Sequence, residues 1–106
     1  MTGAILILDE RDRQRDIEKH SSVHDDGFKD VELARAAASY LLGYIYKNCS
    51  SGMLADIARS ASDELFPWAE SDWKPKDDIR DLVRAGALIA AEIDRLERLV
   101  ELNFHR

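Results

Sequence analysis

Cross-links and punctuation are what this chain has least of. Cys49 is its only cysteine, so no internal disulfide can staple it, and a reducing compartment is expected. Five glycines and two prolines leave few places to turn, and no glycine-rich loop of the kind that cradles phosphates is present. The apolar run Ala4-Ile5-Leu6-Ile7-Leu8 is too short to cross a bilayer and has neither the basic flank nor the small-residue cleavage site of an export signal. The expectation is a soluble cytoplasmic protein with no membrane partner. Alternating β-branched stretches are nearly absent, which argues against a sheet. Positive charge is in deficit: 15 Lys and Arg against 21 Asp and Glu give a net charge of −6. Duplex nucleic acid is excluded as a general partner, because phosphate contacts dominate such binding. A local basic patch for a small anion is still allowed.

What remains is the alphabet of a helical protein, rich in Ala, Leu, Glu, Asp and Arg. Its 106 residues make room for one domain spanning 1–106 with a modest core. The pattern predicts a first helix over about Ala4–Lys19, with Thr2 as N-cap and Asp9–Arg13 and Asp12–Arg15 as supporting ion pairs. His20–Lys29 reads as a loop. Asp30 reads as the N-cap of a second helix through about Lys47, small on one side at Ala34, Ala36, Ala37 and Ala38. Asn48–Gly52 ends it, and Met53–Ser60 reads as an amphipathic turn or two. The last helix is the clearest element: Pro75 suits its first position, Asp77 and Asp78 complement its positive end, and apolar residues from Ile79 to Val100 form a broad stripe. Gly86 in its middle is costly unless another helix crosses there. The fold predicted is an all-α compact bundle of three main helices and one short one, self-associating through its small-residue faces and long final helix.

Several blocks of this sequence, "ERDRQRDIEKH", "HDD", "ELARAAASYL" and "FPWAESDWKPKDDIRDLVRAGALIAAEIDRL", resemble a family of small uncharacterised proteins of tailed phages and prophages. The resemblance covers nearly the whole chain. It departs before the triplet, where relatives carry a Trp-containing "GWTPEHDD" and this chain has "HSSVHDD". It implies a phage accessory protein in the cytoplasm of a bacterial host, and it implies no reaction.

Two constellations are candidates for chemistry. Lys76, Arg80 and Arg84 are spaced i, i+4, i+8 at the start of the last helix, with Trp73 and Lys74 just before them. Cations, free helix N–H groups and an indole face together suit a phosphorylated ligand with a ring to stack, and His24 is placed with this ligand set. The structural alternative is a row of surface ion pairs, Asp77 with Arg80 and Asp81 with Arg84. The second constellation is His24-Asp25-Asp26, which with Glu32 or Glu10 offers ligands for Mg²⁺; its alternative is a locally hydrogen-bonded turn. The two tryptophans and two prolines all fall in Leu65–Asp78, where Pro67-Trp68 reads as a plug on the bundle end and Trp73 as facing either core or ligand. Tyr40 and Tyr44 read as core residues with hydroxyls reaching a rim. No nucleophile is activated, since Cys49 follows a helix end, and His20 and His105 read as solvated.

The function expected is non-enzymatic: binding a phosphorylated small ligand, specifically sequestering a nucleotide signal of bacterial defence, with no cofactor. One alternative is a MazG-like Mg²⁺-dependent pyrophosphohydrolase, although Asp9-x-x-Asp12, Asp78-x-x-Asp81 and Glu92-x-Asp94 do not reproduce that family's ExxE and ExxD pairs. The other is an inhibitor docked on a host defence protein.

Overall fold

The first helix buries what its sequence would leave in water. In the computed structural model, which describes residues 1–18 and 22–104 without the side chains of Asn103 and Phe104, α1 spans Gly3–Asp16. Thr2 caps it, its hydroxyl accepting from the Ile5 N–H at 3.3 Å. The buried residues of α1 are Glu10, Arg11 and Gln14, whereas Ile5 and Leu8 are exposed. Arg13 does not take Asp9 as partner; it forks onto Glu10 at 2.8 and 2.7 Å and also pairs with Glu18, while the expected Asp12–Arg15 pair is present.

Positions 19–21 and 105–106, and with them His20 and His105, lie outside the described residues. Part of the expected loop is helical, because Ser22–Asp26 forms the short α2. Helix α3 runs Glu32–Asn48. Asp30 is not its cap. Val31 holds that position at φ 52°, a left-handed conformation that costs a β-branched residue energy, and makes no side-chain capping bond. Asp30 instead gives its N–H to the Glu32 carboxylate and accepts from Arg35 at 3.3 Å.

The segment read as a turn or two is a full helix, α4, Gly52–Leu65, capped by Ser51. It meets α3 through small residues: Ala58 and Ser62 are its buried positions. Ser39 and Ser62 donate to each other's carbonyls at 2.9 and 2.8 Å, a reciprocal pair that satisfies both hydroxyls inside the contact. After a 3₁₀ turn at Glu70–Asp72, α5 runs Asp78–Phe104. Pro75 lies outside α5, and Asp77 caps it by accepting from the Arg80 N–H at 2.8 Å.

Helix α5 is the spine, with α3 on one side, α1 on another and α2 touching it; α4 packs on α3. Leu33, Ala36, Ala37 and Tyr40 of α3 close against Ala85, Leu88 and Ala91 of α5, and Phe28, Phe66, Trp68 and Trp73 pack over this cluster. Gly86 marks the α1 crossing: a Cβ there would stand 2.6 Å from the Ile7 Cδ1. The all-α architecture is as expected. Among the described residues no helix is long and apolar enough to cross a membrane.

Candidate ligand cavity

The crossing of α1, α3 and α5 leaves a half-open cavity of about 380 Å³ beneath the aromatic connection. That lies within the range of about 300–1,000 Å³ typical of small-ligand sites. Its wall draws on α1, α2, α3, α5 and the connections between them, with no described lining residue from α4. Helix α1 contributes Gln14 and the segment after it Glu18, and α5 contributes Arg84 and Leu88, one turn apart. Tyr40 comes from α3, His24 and Phe28 from α2 and the segment after it, and Trp68, Asp72 and Lys74 from the connection.

The aromatic side is a packed set. Phe28 lies 5.5 Å from Trp68 and meets His24 edge-on at 4.9 Å, and Trp68 meets Phe66 edge-on at 5.8 Å. The cations stand opposite acceptors. Arg84 lies over the Tyr40 ring at 5.3 Å, reaches its hydroxyl at 3.4 Å and faces Glu18 at 3.6 Å. These contacts are long for an arginine, so guanidinium N–H groups remain to be given. The Lys74 ammonium makes no ion pair with the described residues, while its backbone N–H donates to the Tyr40 hydroxyl at 3.2 Å. That hydroxyl accepts twice and keeps its own proton to donate. His24 Nδ1 stands 3.1 Å from Asp25 Oδ1.

Behind the wall lies a buried polar layer. Glu10, 3 % exposed, receives Arg13 in a fork, Arg80 at 3.4 Å and the Gln14 amide at 3.3 Å. Burial by itself would raise the Glu10 carboxyl pKa, but the Arg13 bond and the charges of Arg13, Arg84 and Arg80 together hold it below its ordinary value. The same fork holds the Arg13 guanidinium well above its usual range. Gln14 Oε1 is buried with no hydrogen-bond partner, a deficit of about 1–3 kcal/mol for an unpaired polar atom.

The structure gathers three of the sequence candidates at this cavity, His24, Lys74 and Arg84. It separates the rest. Trp73 faces the core, stacked on Tyr40 at 4.5 Å and edge-on to Phe66 at 5.1 Å. Trp68, read as a plug, is the tryptophan of the cavity. Lys76 precedes α5 and so does not extend an Arg80–Arg84 row; its backbone N–H donates to Asp81 at 2.7 Å. Arg80 turns to Glu10 outside the cavity wall. The expected Asp77–Arg80 and Asp81–Arg84 pairs do not form either: Asp77 caps the helix and Asp81 binds Lys47 at 3.2 Å.

The acidic triplet is divided among structural partners. Asp25 is fully buried against Arg11 at 3.2 Å, Asp26 takes a forked Arg98 at 2.7 and 3.0 Å, and Glu32 holds the Asp30 N–H. The other carboxylate pairs are divided as well, Asp78 onto Lys47, Glu92 onto Arg95 and Asp94 onto Arg11. Among the described residues no group of three or more His, Cys, Asp and Glu side chains assembles as a metal site.

Gln14, Glu18, Phe28, Asp72 and Leu88 were not singled out from the sequence. The one local signal was the i, i+4, i+8 row Glu10–Gln14–Glu18, with an uncharged Gln amid charges. Compared with family models, curated proteins and solved structures, the chain gives no significant match.

Proposed function

We propose that the protein binds a small phosphorylated ligand of mononucleotide size in this cavity and sequesters it. The observation that carries the reading is the joining of an aromatic wall, Trp68, Phe28 and Tyr40, to two cations with unused N–H groups, Arg84 and Lys74. The ring of the ligand packs on Trp68 and Phe28, its phosphate takes Arg84 and Lys74, and the acceptors Glu18 and Asp72 suit sugar hydroxyls. Wall charges cancel, two positive against two negative, so the ligand matched is one that carries hydroxyl or amino donors besides its phosphate. The resemblance to phage proteins supports a host nucleotide signal as the cargo and the host cytoplasm as the setting.

The test is to denature purified protein, run mass spectrometry on what is released, and follow thermal shift across linear and cyclic nucleotides. A released nucleotide, with binding weakened more than tenfold by Lys74→Ala and Trp68→Ala, is expected. An empty protein with no shift overturns the reading. Pyrophosphate released from nucleoside triphosphates with Mg²⁺ supports the hydrolase instead.

We further propose self-association through α5. Ile89, Ile93, Leu96 and Val100 are exposed and follow a 4-3-4 spacing, the pattern of a helix seam, and a groove of about 420 Å³ runs along Ile93, Leu96 and Val100. Sedimentation at the mass of one 12.0 kDa chain contradicts this. Stable recovery with a host protein assigns the stripe to that partner.

A further inference from the structure

The cavity reading names a class of ligand; one buried side chain narrows it further. Gln14 is 1 % exposed, lines the cavity, and spends only half of its amide. Its Nε2 donates to Glu10 Oε2 at 3.3 Å, while its Oε1 has no partner.

The direction of this amide is fixed by chemistry. Glu10 already accepts from Arg13 Nε and Nη2 and from Arg80 Nη2. A carboxylate held by two guanidinium groups is ionised and has only acceptors to offer. The atom of Gln14 that faces it must therefore be the N–H donor, since the flipped amide would set oxygen against oxygen. The far atom is then an acceptor, and it has no hydrogen-bond partner. None of the described residues supplies the missing donor. Arg84 is directed at Tyr40 and Glu18 and its spare N–H groups make no bond to this atom, and Lys74 belongs to the outer connection.

We propose that Gln14 is the specificity residue of the cavity, its amide oxygen accepting a hydrogen bond from an exocyclic amino group on the purine of the bound nucleotide. This rests on the nucleotide reading above. A ligand that carries the donor satisfies a group the empty protein leaves unpaired. A ligand of the same shape without it buries that acceptor a second time. Selection therefore comes from an orphaned acceptor rather than from charge, which the phosphate contacts supply without regard to the base. Glu10 and its arginines act behind Gln14: they hold the amide oriented and touch no ligand, so they are positioning residues.

The test compares ligands before it compares proteins. Calorimetric titration of wild type with two matched pairs, AMP against purine riboside 5′-monophosphate and GMP against IMP, changes one exocyclic amino group at a time. Wild type is expected to bind the amino member of one pair about tenfold more tightly, the worth of one good hydrogen bond. Gln14→Met, which keeps bulk and removes the acceptor, is expected to bind both members of that pair within about twofold. A packing defect would weaken both members together and leave their ratio intact. Equal binding of both members of both pairs by wild type overturns the role of Gln14 while leaving the cavity reading standing. So does a ratio that survives in Gln14→Met. Binding of none of the four by wild type overturns the role of Gln14, and the nucleotide reading falls with it where the linear and cyclic nucleotides above also give no thermal shift. Should Gln14→Met fail to fold, the wild-type ratios decide.

Discussion

Helix α5 presents two faces to its neighbours, and they are held by different physics. Toward α3 the contact is apolar, with Ala85, Leu88 and Ala91 against Leu33, Ala36, Ala37 and Tyr40. Toward α1 and α2 it is polar: Glu10, Arg11, Gln14 and Asp25 are buried and tied to Arg13, Arg80 and Asp94. The first face is held by removal of apolar area from water and tolerates approximate chemistry. The second is held by exact pairing, because each buried charge costs several kcal/mol to desolvate and is compensated only by its partners. Specificity of arrangement comes from the second face, and the cavity opens where the two meet.

The polar face is most vulnerable at Asp25. Asp25→Ala leaves Arg11 without its closest carboxylate and is expected to cost about 3–5 kcal/mol, read as a fall in the urea midpoint. Arg11→Met combined with Asp25→Leu should recover a large part of that loss, since no charge is then left buried alone. On the apolar face, Leu33→Ala is expected to cost about 2–5 kcal/mol by cavity creation, with no such rescue by a second change. Gly86→Ala forces Ile7 aside and should cost about 1–3 kcal/mol, visible as a lower Tm.

Acid separates the two faces without mutation. Glu10 titrates below its ordinary value of 4.5 in the folded chain. Its stabilising share is therefore complete above the unfolded pKa and is lost as pH falls through the folded one. Stability should hold from pH 7 to about 5.5 and fall below about pH 4.5, and Glu10→Gln should flatten that fall. The smallest effect is at the rim: Asp26→Asn breaks a partly exposed pair with Arg98 and should cost less than about 1 kcal/mol, diminishing further in high salt.

These contrasts explain what the residues disclosed in advance. The Thr2 cap, the long last helix and the close crossing at Gly86 are local or nearly local signals, and each could be read directly. The burial of α1 could not. A run such as Asp9–Lys19 reads as a solvated face unless its partners are known, and Arg80 lies 70 positions from Glu10. Helix α4 looked short because it buries Ala58 and Ser62, small residues that leave a faint apolar pattern. The orientation of the tryptophans was not legible for a similar reason. Both sit in one irregular connection, and only the packed positions of Phe66, Tyr40 and Phe28 decide which ring turns inward. Of the candidate site, His24, Lys74 and Arg84 were legible as chemistry-bearing types; Gln14 and Phe28, ordinary in sequence, became visible only as neighbours in space.

The two tryptophans also provide the most direct test of the central claim, that the cavity at Trp68 holds a nucleotide. Trp73→Phe leaves Trp68 as the only indole, and Trp68→Phe leaves Trp73 stacked on Tyr40 in the core. Fluorescence is to be recorded while each variant is titrated with the nucleotide found to bind wild type. A saturable change is expected in Trp73→Phe and a flat signal in Trp68→Phe. A saturable change that follows Trp73, with Trp68 silent, contradicts the claim.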